Sequence, residues 1–598
     1  MNKKKNIGMA IMAAGLLVAA SCSDFDDYNK GVADVTASAN QTLWQNIQQN
    51  PQLSDFASLV KKSGFDQDLD ATQYYTVWAP LNGTFNASSY QELDKDALLR
   101  QFVKNHIASY GHLAAGTTEE RVMMLNEKSY DFSGTSSYVF NGVDLAQANL
   151  PSNNGILHTL NGVASFYPNL YEFVTDKDLS AGKNIDSLRN YFLHYENTYL
   201  DTERSVLGSI VNGMQTYVDS VMITENSLWN SLNVKMNNEE STYTFLMPTN
   251  EAWVKVCERI RSNYNYIPTT NAQTFTASGG VATAPISVSV DATYWQDSLT
   301  NRYLTRNLAY SNNNGYNKWL IGNATYLGKD TLSSTTRNKL SNPQEILGHT
   351  VEELKMSNGV ARIVDDLGMH PWETYAPERI YTATSGNVQA RILAGNALTV
   401  NVVDPKQEQV DLSKEGTNTF RYLWVESSGG YSKPELDIYL PDVLSTTYDF
   451  YCVFVPQGLW SEKADIETRP NRVIFTLNYC DEKGALKDYV FLDESEENIN
   501  SFTERFASAT FKDNAANRTT FRAFSNDTTK VDTVYLGEFT FPVCYYGLGD
   551  GYCPNIKITS PFSAVTGKVR DAYTRDLRIA AIILKPKELV EFEESNKK

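Results

Sequence analysis

Histidine and cysteine are both scarce in this 598-residue chain, six of each, and neither is arranged for chemistry. His106, His112, His158, His194, His349 and His370 form no HExxH or HxH pattern, and no two cysteines make a CxxC pair. A zinc or redox site therefore has no ligand set to build on, and no cofactor is expected. No GxSxG elbow, GxxxxGK[ST] loop or Rossmann glycine fingerprint occurs, which removes the usual serine-hydrolase and nucleotide signatures. Basic residues fall short of acidic ones, 52 against 70, and the charge of −18 argues against nucleic acid as a partner. Long apolar runs are missing as well: Ile7 to Ala20 is too short to span a bilayer as a mature helix.

That short run is informative for what surrounds it. Lys3, Lys4 and Lys5 precede it, and Leu16-Leu17-Val18-Ala19-Ala20-Ser21-Cys22 closes it with small residues and a cysteine, as in a cleaved secretory segment. The stretch resembles a bacterial lipoprotein signal peptide with its lipobox. The resemblance implies a signal peptide over 1–21 and a Cys22 that carries acyl chains, so that the membrane is reached through the lipid alone. Ser23-Asp24-Phe25-Asp26-Asp27-Tyr28 opens an acidic tether, 22–38, too polar to bury a core. It is similar to the surface-export tag of lipoproteins in gut-type Gram-negative anaerobes, which implies outward display from the outer membrane. A calcium loop is disfavoured there, because the glycine turn and the distal Glu are missing.

The length calls for two to four domains, and a repeat organises the first part. Tyr75-Thr76-Val77-Trp78-Ala79-Pro80-Leu81-Asn82 recurs as Tyr243-Thr244-Phe245-Leu246-Met247-Pro248-Thr249-Asn250. Each reads as a strand ended by proline, with Asn82 and Asn250 placed to cap helices beginning at Gly83 and Glu251, and with Phe85 and Trp253 turned inward. A second pair, Asn154-Gly155 and Asn358-Gly359, precedes alternating apolar runs and predicts a turn leading into a strand. These paired segments, with Leu98 to Ile107, resemble the fasciclin-like domain, an α/β module with a wedge of sheet flanked by short helices. The resemblance implies one such domain over 39–172 and a second over 173–375. The second departs by a polar stretch at 263–345, longer than ordinary connections, and by Arg362 where the first has His158. His106 and His158 are expected to be packed and hydrogen-bonded rather than reactive.

From Tyr381 on, short apolar strands separated by turns predict a β-sandwich over 376–598. Ile438 to Tyr451 and Leu577 to Pro586 resemble strands of galactose-binding-like jelly rolls of carbohydrate-binding modules. The fold class is thus α+β: two fasciclin-like wedges in series and then an all-β sandwich. Cys544 and Cys553 flank a glycine-rich tip and are either a disulfide or two buried thiols. Tyr545, Tyr546 and Tyr552 on that tip are candidate sugar platforms, because an aromatic face stacks on the apolar face of a sugar. Asp493-Glu494-Ser495-Glu496-Glu497 reads as a solvated loop rather than a catalytic pair. Six tripeptides beginning at Asp186, Asp219, Asp297, Asp330, Asp527 and Asp532 resemble a bacterial O-glycosylation sequon.

These readings converge on a non-enzymatic surface lipoprotein that binds glycan or protein. The resemblances imply an accessory of a TonB-dependent uptake complex, partnered by an outer-membrane transporter and its lid lipoprotein, or alternatively an adhesin.

Overall fold

The computed structural model describes residues 40–211, 214–273, 285–315, 317, 331–383, 388–392, 398–403, 422–427, 434–456, 468–506, 512–549, 551–562 and 567–597. The leader, Cys22, the tether 22–38 and Asp330 lie outside the described residues. Two compact units are formed. One runs to Gly182 and includes Lys235–Phe245 and Glu353–Ala361; the other holds Lys183–Val234, Leu246–Glu352 and the chain from Arg362 on. The stretch 173–375 is therefore shared between the two. The fold is mixed α+β with further all-β sheets.

In the first unit a seven-stranded sheet runs in the order Ile107–Ser109, Tyr75–Pro80, Gly155–Leu160, Val143–Ser152, Tyr138–Phe140, Ser129–Gly134, Thr118–Met123. Tyr75–Pro80 and Gly155–Leu160 pair in parallel, Tyr75 with Gly155 and Trp78 with His158. Alternation then divides the core. Val77, Ala79 and Leu157 pack against Phe56, Leu59 and Val60 of the helix Ser54–Ser63 and against Phe102, while Trp78 turns to the other face with Phe132, Phe140 and Leu160. Trp78 stacks on Phe140 at 4.3 Å and on His158 at 5.4 Å.

The repeat seen in the sequence is a repeat in topology. Ala309–Ser311, Tyr243–Pro248, Gly359–Val364 and Thr350–Met356 form a four-stranded sheet in the same order as the first four strands above. Each copy is closed by the same buried asparagine. Asn154 accepts from Leu43 N at 2.8 Å and donates to the carbonyls of Leu69 and Ala71. Asn358 accepts from Leu170 N at 2.9 Å and donates to those of Met236 and Asn238. Glycine must follow, because a Cβ on Gly155 or Gly359 would overlap the carbonyl oxygen of Tyr75 or Tyr243.

Several expectations are corrected. Asn82 and Asn250 do not cap the helices that follow them. Asn82 accepts from Asp55 N at 3.0 Å and Asn250 from Ser187 N at 2.8 Å, so each stitches an earlier helix to the end of the strand. Thr249 caps Asn250–Arg261 instead, and in the first copy the helix begins only at Ala87, after Asn86. Within 263–345 the helix Ala292–Thr305 leads into Ala309–Ser311, as Lys95–Leu98 and the turns after it lead into Ile107–Ser109, so part of that polar stretch is framework. A long hairpin, Glu196–Val211 with Met214–Asn226, had no expectation.

The C-terminal region holds two six-stranded sheets. One runs Leu398–Val403, Tyr422–Ser427, Leu577–Pro586, Thr447–Phe454, Asp532–Thr540, with Arg379–Thr382 also on Leu577–Pro586. The other runs Val388–Ile392, Pro434–Tyr439, Asn555–Thr559, Arg472–Cys480, Leu486–Phe491, with Phe524–Ser525 on Arg472–Cys480. Phe450 meets Phe491 at 5.0 Å and Phe454 meets Phe475 at 6.3 Å, which packs sheet on sheet. Helices interrupt the strands. Glu496–Phe506 begins within the acidic run that reads as a loop, where its first-turn carboxylates favour the helix dipole, and Lys587–Ser595 ends the chain.

Two buried polar arrangements in the first unit give predictions. Lys128, 1% exposed, holds Glu172 at 2.6 Å and Glu239 at 2.8 Å, and Glu239 also accepts from Ser357 at 2.9 Å. The segments 235–245 and 353–361 are thereby joined to the first unit. Lys128→Met leaves two carboxylates facing each other without a cation, and denaturant unfolding should show a loss of about 3–5 kcal/mol; a loss under about 1 kcal/mol contradicts the triad's role.

His106 and His158 are held as neutral tautomers. Ala164 N donates to Nε2 of His106, whose Nδ1 donates to Phe102 O, and Asn149 N donates to Nδ1 of His158, whose Nε2 donates to His112 O. Burial lowers both from 6.5 to about 4. Below pH 6.5 the unfolded chain takes protons that the folded one refuses. The stabilisation is therefore complete above that pH and falls, by about 3 kcal/mol per histidine, as pH drops towards 4. Melting temperatures measured across this window should fall, and should fall less steeply in His158→Gln.

Candidate functional site

The second unit contains a cavity of about 480 Å³, within the size range of ligand sites, lined by Tyr191, Asn230, Ser231, Leu232, Asn233, Arg302, Thr305, Arg306, Thr335, Thr336 and Arg337. Three pieces of chain build it. Arg302 and Thr305 close the helix Ala292–Thr305, and Arg306 caps it by donating its N–H to Arg302 O at 3.0 Å. Leu228–Leu232 ends with Asn233 in the left-handed region (φ 50°), a conformation that asparagine tolerates. The third piece is the turn Ser334–Arg337, with Arg337 at φ 69° and its N–H donated to Ser334 O at 2.9 Å.

Side-chain bonds lock these pieces together. Asn233 Nδ2 donates to Thr335 O at 3.0 Å, and Thr335 Oγ1 donates to Leu232 O at 2.6 Å. Thr336 Oγ1 donates to Arg306 O at 3.1 Å, tying the turn to the helix end. Tyr191, on Asp186–His194, bonds the Thr305 side chain, and burial raises its hydroxyl pKa. Arg302 and Arg337 are exposed and Arg306 is half-buried. Among the described residues the lining contains no carboxylate, histidine or cysteine. Asp297, one turn before Arg302, is engaged by Arg261. The arrangement can hold a polar, electron-rich ligand.

The aromatic candidates lie elsewhere, and the structure places two of them in packing. Tyr545 is 1% exposed, and its hydroxyl accepts from Cys480 N at 2.8 Å. Tyr546 is half-buried and set edge-on to Tyr264 at 6.2 Å and to Tyr303 at 6.4 Å. Trp295 lies so close over Gly547 that a Cβ there would crowd it, so the glycine-rich tip touches the helix Ala292–Thr305 while its glycines Gly547, Gly549 and Gly551 stay exposed. Tyr552 is half-buried, beside the turn closed by its N–H to Gly549 O at 3.0 Å. Cys544 and Cys553 are buried free thiols, which corrects the disulfide alternative. Cys544 faces Tyr266, and burial pushes its thiol up to about 12.

Sequence reasoning missed the cavity, although a signal existed. Between Asp297 and Glu345 the only acidic residue is Asp330, against Arg302, Arg306, Lys318, Lys329, Arg337 and Lys339. In so acidic a chain that asymmetry marks a local purpose. Among the described residues no cluster of His, Cys, Asp or Glu could hold a metal, and no helix is long and apolar enough to cross a membrane.

Residues 51–165 match the fasciclin domain. No curated protein matches the chain in sequence. Among solved structures, the fasciclin domain pair of the insect cell adhesion molecule Fasciclin I is similar over 54% of this chain and 99% of its own, at 12% identity and TM-score 0.20. The C-terminal family 22 carbohydrate-binding module of Clostridium thermocellum Xyn10B is similar over 35% and 92%, at 12% identity and TM-score 0.18. A family 11 carbohydrate-binding module of the same organism, in complex with a mixed-linked tetrasaccharide, covers 35% and 92%, at 10% identity and TM-score 0.16.

The burial of Tyr545 yields a test. Tyr545→Phe strands the Cys480 N–H and should cost about 1–3 kcal/mol of stability in denaturant unfolding, and Tyr545→Ala about 3–5 kcal/mol. Unchanged unfolding in both variants contradicts a packing role.

Proposed function

We propose that this chain is a non-enzymatic recognition protein, anchored by lipid on Cys22, facing outward from the outer membrane and capturing glycan in the cavity of its second unit. The cavity carries the reading. Its wall of guanidinium, amide and hydroxyl groups suits a ligand rich in oxygen, and its frame is cross-bonded. The partners proposed are a TonB-dependent transporter and its lid lipoprotein, to which the captured glycan passes. The fasciclin match at 51–165 favours a second reading, adhesion through the first unit.

Affinity capture of the full chain from outer membranes in mild detergent should recover a transporter, and protease added to intact cells should shave the protein away. Capture without a transporter favours adhesion. Protection from protease, or release of product from a polysaccharide panel, contradicts the proposal.

A further inference from the structure

The cavity's charge is more specific than its function as a glycan site requires. Arg302 and Arg306 stand one helical turn apart, a spacing at which like charges repel. Cations are welcome at a helix C-terminus, and that alone accounts for this pair. It does not account for Arg337, which comes from a separate turn, occupies a left-handed conformation that arginine seldom adopts, and adds a third cation to the same cavity. Among the described residues no acidic side chain lines the cavity, and the one carboxylate on the preceding helical turn, Asp297, is already taken by Arg261. Among the described residues none of the three guanidinium groups has a carboxylate partner.

Three arginines lining one cavity, with no carboxylate partner among the described residues of a chain of charge −18, are a place for an anion supplied by the ligand. The planar fork of arginine matches carboxylate and sulfate oxygens in pairs. Around the cations, Asn230, Ser231 and Thr336 offer amide and hydroxyl groups of the kind that bond sugar hydroxyls, and the Tyr191 ring offers an apolar face. Resting on the glycan-binding reading above, we infer that the cavity selects acidic saccharides and holds the carboxylate or sulfate group between Arg302, Arg306 and Arg337.

Calorimetric titration of the full chain with three galactose-based probes tests this: an oligogalacturonate carries carboxylate, a carrageenan oligosaccharide carries sulfate, and a galacto-oligosaccharide is neutral. At least one anionic probe should bind roughly tenfold or more tighter than the neutral one, and which of them does so identifies the anion. Added salt should weaken that binding. Combined Arg302→Gln, Arg306→Gln and Arg337→Gln should abolish it with unchanged melting temperature, each arginine-to-lysine change should weaken it in part, and Arg121→Gln in the first unit should leave it intact. Equal binding of neutral and anionic probes, or anionic binding indifferent to the triple substitution, overturns the inference while the glycan-binding reading stands. Failure of all three probes, and of a broad neutral glycan panel, overturns both.

Discussion

The architecture depends on one repeated constraint, a buried asparagine followed by a glycine at the start of a strand. Asn154 and Asn358 each satisfy three backbone groups that a turn would otherwise strand in a core, and one of those groups is the first N–H of a helix. The glycine then lets two strands approach in parallel with no side chain between them. Around this stitch the same four strands assemble in the same order in both copies. A substitution at either residue would remove several bonds together, because the side chain does the work of a turn, a cap and a strand end.

What the two copies do with the shared frame differs. In the first, His158 stacks on Trp78 and is locked neutral between two backbone partners, so the sheet carries a dry aromatic core. In the second, the corresponding position is Arg362, which donates to Thr350 Oγ1 at 3.3 Å. The helix leading into the edge strand diverges most. In the first copy that segment, Lys95 to His106, ends in buried apolar side chains and His106. In the second, Ala292–Thr305 presents Trp295 and Tyr303 to the tip that carries Tyr546 and Gly547, and ends in the arginines of the cavity. One helix therefore contributes both to the packing of the tip and to the wall of the cavity.

Much of the frame was legible in the sequence. Strands that alternate or run apolar between turn residues, such as Tyr243–Pro248 and Leu577–Pro586, stand where the pattern predicts them. The Asn-Gly pairs mark true turns. Legibility failed where a side chain's partner is remote in sequence: Asn82 lies beside a plausible helix start yet bonds Asp55 N, a choice that propensity cannot express. The burial of Tyr545 at the glycine-rich tip was hidden for a related reason. Glycine suggests an exposed turn, and Gly547 is exposed, but Trp295, more than two hundred residues earlier, lies against it and the neighbouring Tyr545 is buried. The cavity was hidden because its cations come from a helix end and a distant turn, and only the shortage of acids across that region pointed to it.

The central claim, that recognition resides in the arginine-lined cavity of the second unit, is tested most directly by hydrogen–deuterium exchange of the full chain with and without an acidic oligosaccharide. The account predicts slowed exchange at Leu228 to Asn233, at Arg302 to Arg306 and at Ser334 to Arg337, with the rest of the chain unchanged. Slowed exchange confined to other segments would contradict it.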